Sequence, residues 1–148
     1  MKRWLFDTGI WLHYGQSESI RDVVGKLRTD GAEFLTAPIA LAEITSVLAR
    51  RGRSKDSSAI LDRLRRLSSI VPLQTDVYES VGRIHAAERA HFPDLSMADA
   101  LVIATAQQES ARILTTDESV ARNHQGVKSR WIAAPGANAN RSKGRTRP

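Results

Sequence analysis

The chain has 148 residues, of which 41% are hydrophobic and 26% charged, and it has no cysteine. The length suits one folded domain with a single core, and the missing thiols exclude a disulfide framework, a thiolate metal site and a cysteine nucleophile. The net charge of +6 is unevenly placed: from Gly136 onward Arg141, Lys143, Arg145 and Arg147 occur without an acid, and removing those four leaves about +2 for the rest. Residues 1–135 therefore read as the folded domain. Residues 136–148 read as a basic, disordered tail, suited to nucleic-acid contact or simply to solubility.

No apolar run approaches the ~18 residues that a membrane span needs. Asp7 interrupts the N-terminal run Trp4-Leu5-Phe6, so export is not expected either. The expectation is a cytoplasmic protein with no membrane contact.

In chain order, Arg3–Phe6 reads as a first strand, stopped at Asp7-Thr8 and followed by a helical stretch through Trp11 and Leu12. Ser17 is a candidate N-cap for a helix carrying Ile20, Val23, Val24 and Leu27, with Gly31 as its stop. Glu33–Ala37 reads as a second strand. Pro38 fits the first turn of a helix through Leu41, Ile44 and Leu48 that ends near Gly52. The next helix sets Ile60, Leu64 and Leu67 on one face and Arg63 and Arg66 on another. Ser69–Leu73 reads as a strand and Asp76–His91 as a helix. A helix beginning near Ser96 is apolar on nearly every side, which predicts burial. Arg112–Thr115 reads as a fourth strand, Glu118–Arg122 as a short helix and Val127–Ile132 as a last strand. This alternation predicts an α/β sandwich around a mostly parallel sheet, with ligands beyond the carboxyl ends of the strands.

That rule draws attention to four acids. Asp7 and Asp117 follow strands, whereas Glu43 and Asp99 lie inside helices next to apolar neighbours. Each has a plain structural alternative: turn or cap for Asp7 and Asp117, a surface-reaching side chain for Glu43, and a capping box with Ser96 for Asp99. If they converge, two carboxylates ~5 Å apart repel by roughly 3 kcal/mol at an effective dielectric near 20. No lysine or arginine stands within two residues of any of them to relieve this. An all-oxygen site of that kind suits Mg²⁺ or Mn²⁺, while His13, His85, His91 and His124 show no zinc-ligand spacing.

The segments Leu5-Phe6-Asp7-Thr8, Ala40-Leu41-Ala42-Glu43-Ile44, Asp99-Ala100-Leu101-Val102-Ile103-Ala104-Thr105-Ala106 and Leu114-Thr115-Thr116-Asp117 resemble, in order and spacing, those of a PIN domain. The whole looks like a ribonuclease of the VapC toxin type over about residues 3–132. One departure is Val120, where such proteins often carry an aromatic residue. The resemblance implies a PIN-like α/β/α sandwich and metal-assisted cleavage of RNA to a 5′-phosphate and a 3′-hydroxyl. It implies Asp7, Asp99 and Asp117 as metal ligands and Glu43 as a catalytic acid that holds a water or a second ion. Thr8 and Thr115 would orient carboxylates. A small antitoxin partner and a homodimer are further implications.

RNA contact is expected from Arg50, Arg51, Arg53 and Lys55, and less so from Arg63, Arg65 and Arg66. Their structural alternative is that cations favour helix C-termini and that Asp62 can pair with Arg66. Phe6-Asp7-Thr8-Gly9 also matches an aspartic-protease tripeptide, but that fold is all-β and this chain is dominated by helices. A phosphohydrolase with Asp7 as nucleophile usually needs a second acid where Gly9 stands. The serious rival is a PIN-like module that binds RNA or protein without cutting.

Overall fold

The computed structural model describes residues 2–136, so the basic tail lies outside the described residues apart from Gly136. The elements are β1 (Arg3–Phe6), α1 (Thr8–His13), α2 (Glu18–Thr29), β2 (Glu33–Thr36), α3 (Ile39–Arg50), α4 (Ser57–Leu67), β3 (Ser69–Ile70), α5 (Tyr78–Arg89), α6 (Met97–Gln108), β4 (Arg112–Thr115) and β5 (Ser129–Trp131). The five strands form one sheet in the order β3-β2-β1-β4-β5, and every pairing is parallel.

Strand alternation sorts the core into two layers. Trp4, Phe6, Phe34 and Leu114 point to one face, where Ile10, Trp11, Ile20, Ile44, Leu48 and Leu64 from α1–α4 meet them. Leu5, Leu35 and Ile113 point to the other, against Val81, Ile84, Ala100 and Ile103 from α5 and α6 and Leu95 from the loop between them. A sheet buried on both faces needs strands that are apolar at successive positions, as Trp4-Leu5-Phe6 and Ile113-Leu114 are. Burial of each large side chain contributes roughly 1.5–3 kcal/mol before entropic costs. The result is the three-layer α/β/α sandwich expected from the sequence, with a sheet that is wholly parallel.

Local signals acted largely as their chemistry requires. The Ser17 hydroxyl accepts from the Ile20 N–H at the start of α2, and Gly31 leaves the helix with φ +75°. α6 is buried over most of its length, from Ala100 through Val102–Ala106. α5 is two residues shorter at each end than the expected Asp76–His91, and three further differences from expectation stand out. β3 stops at Ile70 because Pro72 has no N–H with which to extend the ladder. β5 starts late because a 3₁₀ turn at His124–Gly126 precedes it.

The third difference is that Glu118–Arg122 is a turn rather than a helix. One turn does form, with the Val120 and Ala121 N–H groups donating to the Asp117 carbonyl. The Asp117 carboxylate also captures the Ser119 N–H and hydroxyl, while the Ser119 carbonyl is taken by the His124 ring. The carbonyl that would carry a second turn is therefore already bonded elsewhere. Among the described residues no helix is long and apolar enough to cross a membrane.

Candidate active site

The chain runs outward from β1 through β2 to β3, then returns to the other side of β1 as β4. The carboxyl ends of β1 and β4 thus flank the point where strand order reverses, the place where open parallel sheets leave a crevice. Asp7 follows β1 directly and caps α1, its N–H bonded to the Leu114 carbonyl of β4 at 2.9 Å. Gly9 lets α1 lie against the loop beyond β4, because a Cβ there would start 1.9 Å from the Thr116 hydroxyl. Close approach of backbone to Thr116 is what that position requires, and a second acid at position 9 has no room.

Asp7 is 8% exposed. Its Oδ1 accepts from the Thr8 N–H at 2.9 Å and its Oδ2 from the Thr115 hydroxyl at 2.8 Å. The Thr8 hydroxyl in turn donates to Glu43 Oε1 at 2.8 Å, and the Thr115 hydroxyl accepts from the Asp117 N–H at 3.0 Å. The two threonines therefore tie Asp7 to Glu43 on α3 and to Asp117 beyond β4. Asp99 enters from α6, where it forms a capping box: its Oδ2 accepts from the Ser96 N–H, and the Ser96 hydroxyl accepts from the Asp99 N–H. The capping role is real, and Ser96 supplies the hydrogen bonds that favour the Asp99 charge. Glu43 and Asp117 leave one oxygen each without a hydrogen-bond donor among the described residues.

These carboxyls feel one another. Burial first, and then the charges of Asp99 and Glu43, push the Asp7 carboxyl up to about 6 against the pull of its two hydrogen bonds. Burial also raises Glu43, with the Asp99 charge adding to it, and raises Asp99, with the Asp117 charge adding to it. The hydrogen bonds through Thr8 and Thr115 order Glu43, Asp7 and Asp117 in a row, and the charge of Asp99 reaches Asp7 and Glu43 as that of Asp117 reaches Asp99. Among the described residues no salt bridge reaches any of the four. Nor do any three acids or histidines there stand close enough to grip one ion by themselves. The donor set nevertheless fits a hard divalent cation, since Mg²⁺ keeps several waters and takes only one or two carboxylates directly.

The basic residues divide. Arg50 lies on the Glu43 side of α3, where both line a cleft of about 350 Å³ with Ser46. Arg51 lies near enough to His13 for its charge, after burial, to lower that imidazole. Arg53 is held by Asp56 at 2.8 Å, and Lys55 is exposed. Arg63 stands 5.1 Å from the Tyr14 ring centroid. Asp62 pairs at 3.9 Å with Arg65, not with Arg66: on this helix the i+3 neighbour is the one within reach.

Sequence reasoning missed the group that holds Asp117 in place. His124 is 2% exposed, its Nδ1 bonded to Glu88 of α5 and its Nε2 at 2.6 Å from the Ser119 carbonyl. Both ring nitrogens face acceptors, so both bonds are made together only when both nitrogens carry hydrogen. Phe92 packs edge-on to the ring at 4.9 Å. The Asp117-Glu118-Ser119 spacing signals a side-chain-capped turn, but nothing around His124 announces a buried bridge to Glu88.

A three-layer sandwich on a wholly parallel sheet, with acids at the carboxyl ends of β1 and β4, defines the class of protein. The chain belongs to the PIN domain family, whose sequence model matches residues 4–124. No curated protein sequence matches the chain. Its fold is similar to that of VapBC2 from Rickettsia felis bound to a promoter DNA fragment, with a TM-score of 0.72 at 14% identity over 86% of this chain and 97% of that one. It is also similar to DNA-bound VapBC from Salmonella typhimurium, with a TM-score of 0.68 at 15% identity over 88% and 98% of the two chains. A third likeness is Mycobacterium tuberculosis VapC20, described as a Sarcin-Ricin loop cleaving toxin, with a TM-score of 0.61 at 19% identity over 84% and 98%.

Two predictions follow from the electrostatics and the buried bridge. The folded Asp7 carboxyl titrates near 6 against an ordinary 3.8, so the folded state binds that proton more tightly than the unfolded state does. In EDTA, stability is therefore fully present at low pH and falls by on the order of 2–3 kcal/mol as pH rises from about 4 through about 6. Asp7→Asn shrinks that slope and leaves the residue of it that Glu43 and Asp99 supply; an unchanged slope in urea titrations contradicts the assignment. His124→Ala, which leaves Glu88 and the Ser119 carbonyl without their partner, lowers stability by about 2–4 kcal/mol in the same titrations. A loss below about 0.5 kcal/mol shows that the bridge is not formed in solution.

Proposed function

We propose that this chain is a divalent-metal-dependent endoribonuclease and serves as the toxin of a toxin–antitoxin pair. The observation that carries the reading is the row of four carboxylates at the switch point, mutually repelling and with no cationic side chain in ion-pair contact among the described residues. Membership of the PIN family and the likeness to structures titled as toxin–antitoxin complexes support it.

In this reading Asp7 and Asp99 hold Mg²⁺ or Mn²⁺, with Asp117 completing the site directly or through water. When bound, the ion neutralises charge on the phosphate and acidifies nearby water. The protein's own part is positional. Thr8 and Thr115 fix Asp7 so that its carboxylate need not reorganise during the reaction. Glu43, raised by burial and with Oε2 unbonded among the described residues, takes the proton of the attacking water. Water attacks phosphorus in line, the P–O3′ bond breaks, the departing O3′ takes a proton from solvent water, and the products carry a 5′-phosphate and a 3′-hydroxyl. Arg50 and Arg51 draw in the RNA backbone, so affinity falls with salt. The expected protein partners are a small antitoxin that covers the acids and a second copy of the chain, in a cytoplasmic setting.

The rival reading is a PIN module that binds without cutting, and it draws on the lack of three converged ligands among the described residues. Cleavage of a labelled RNA in Mn²⁺, in EDTA, and by Asp7→Asn separates the two. Nuclease action predicts metal-dependent cleavage that falls by roughly two to three orders of magnitude in Asp7→Asn. Thr115→Val weakens metal dependence by about 10–100-fold, as loss of an orienting partner does. RNA retained in EDTA with no cleavage under any condition would favour the binding module.

A further inference from the structure

Outside the acid row, one exposed aromatic stands at the same end of the sheet. Trp131 closes the edge strand β5 and is 38% exposed. Its indole N–H donates to the Thr116 carbonyl at 3.2 Å, one residue before Asp117. That bond fixes the ring against the loop that carries the acid. Beside the ring lies a cleft of about 220 Å³ lined by Trp131, Arg122, Ala121 and Glu118. Arg122 also borders a second cleft of about 390 Å³, which runs past Phe92 and His91 and includes Asp117 itself. The Arg122 guanidinium stands 5.8 Å from the Phe92 ring centroid. From the Asp117 end of the acid row, the surface thus leads past an aromatic–arginine pair to an exposed indole.

We propose that Trp131 and Arg122 form a stacking subsite for an unpaired RNA base next to the acid row, a claim that rests on the ribonuclease reading above. The chemistry of the walls selects a base rather than a phosphate. Asp94 and Asp117 border the larger cleft and repel phosphate oxygens. A nucleobase presents uncharged faces that indole and guanidinium planes accept, and carboxylates tolerate its amino groups. A paired base hides those faces inside its helix, so the subsite requires a single-stranded segment. Arg50, beside Glu43 at the other end of the row, offers charge but no aromatic plane, so phosphate contact there and base contact here divide the work.

The test uses a fluorescein-labelled single-stranded RNA of roughly 12 nucleotides, a matched duplex, and fluorescence anisotropy in EDTA, where cleavage does not interfere. Metal-dependent cleavage of the same RNA is measured separately. Trp131→Ala and Arg122→Ala each weaken single-strand binding by about tenfold, as loss of one stacking partner does, and Trp131→Phe stays within about threefold of wild type. Duplex binding is unchanged in all three. Arg122 is exposed, so its variant carries the test should Trp131→Ala fail to fold. Equal single-strand affinity in wild type, Trp131→Ala and Arg122→Ala overturns the subsite, and intact metal-dependent cleavage in that case leaves the nuclease reading standing. Loss of single-strand binding in a protein that cuts no RNA keeps the subsite and overturns the nuclease. Unchanged RNA binding with lost capture of a small protein partner reassigns Trp131 to a protein interface and overturns the proposal.

Discussion

A carboxylate removed from water, with no cationic side chain paired to it among the described residues, is the constraint around which this molecule is arranged. Asp7 sits at the end of the central strand, buried, and held by the Thr8 amide and the Thr115 hydroxyl. Those bonds favour its charge, yet burial and the neighbouring acids outweigh them and keep its proton bound to about pH 6. A structure selected only for stability would place an apolar or amide side chain there. Local destabilisation kept in place by the surrounding core is the ordinary sign of a site maintained for chemistry.

The rest of the fold serves to hold that arrangement. Two apolar layers clamp the sheet from both sides, so the carboxyl ends of β1 and β4 cannot drift apart. Four separate elements then deliver one acid each: the start of α1, the second turn of α3, the first turn of α6 and the loop after β4. Asp117, the one on irregular backbone, is secured by its own turn through Ser119, and Ser119 is secured by His124 and Glu88 of α5. The most exposed of the four acids thereby gains a fixed position without a helix beneath it.

The alternation of strands and helices was legible because each strand is short and apolar and each helix is amphipathic or wholly buried. The acids stood out because Asp7 and Asp117 follow strands and Glu43 and Asp99 interrupt apolar faces. Strand order was not legible: nothing local in β3 or β5 says which edge it occupies. The Glu118–Arg122 helix was misjudged because its competitor, the His124 ring on the Ser119 carbonyl, is a tertiary contact. Asp62 pairing with Arg65 turned on which of two helical neighbours reaches it, and spacing rules alone do not decide that. Trp131 read only as the end of a last strand, since its exposure and its bond to Thr116 exist only once β5 pairs with β4.

The central claim, that these four acids exist to hold a divalent cation, is most directly tested by thermal unfolding of wild type and Asp99→Asn in EDTA and in millimolar Mn²⁺. Asparagine keeps an oxygen for the Ser96 N–H, so the α6 cap survives while the carboxylate charge is lost. Binding to the native state alone at a hundredfold excess over the dissociation constant adds about 2.7 kcal/mol, which raises Tm by roughly 5–10 °C. The account predicts that rise in wild type and its near disappearance in Asp99→Asn. A wild type indifferent to Mn²⁺, or an equal rise in both proteins, contradicts it.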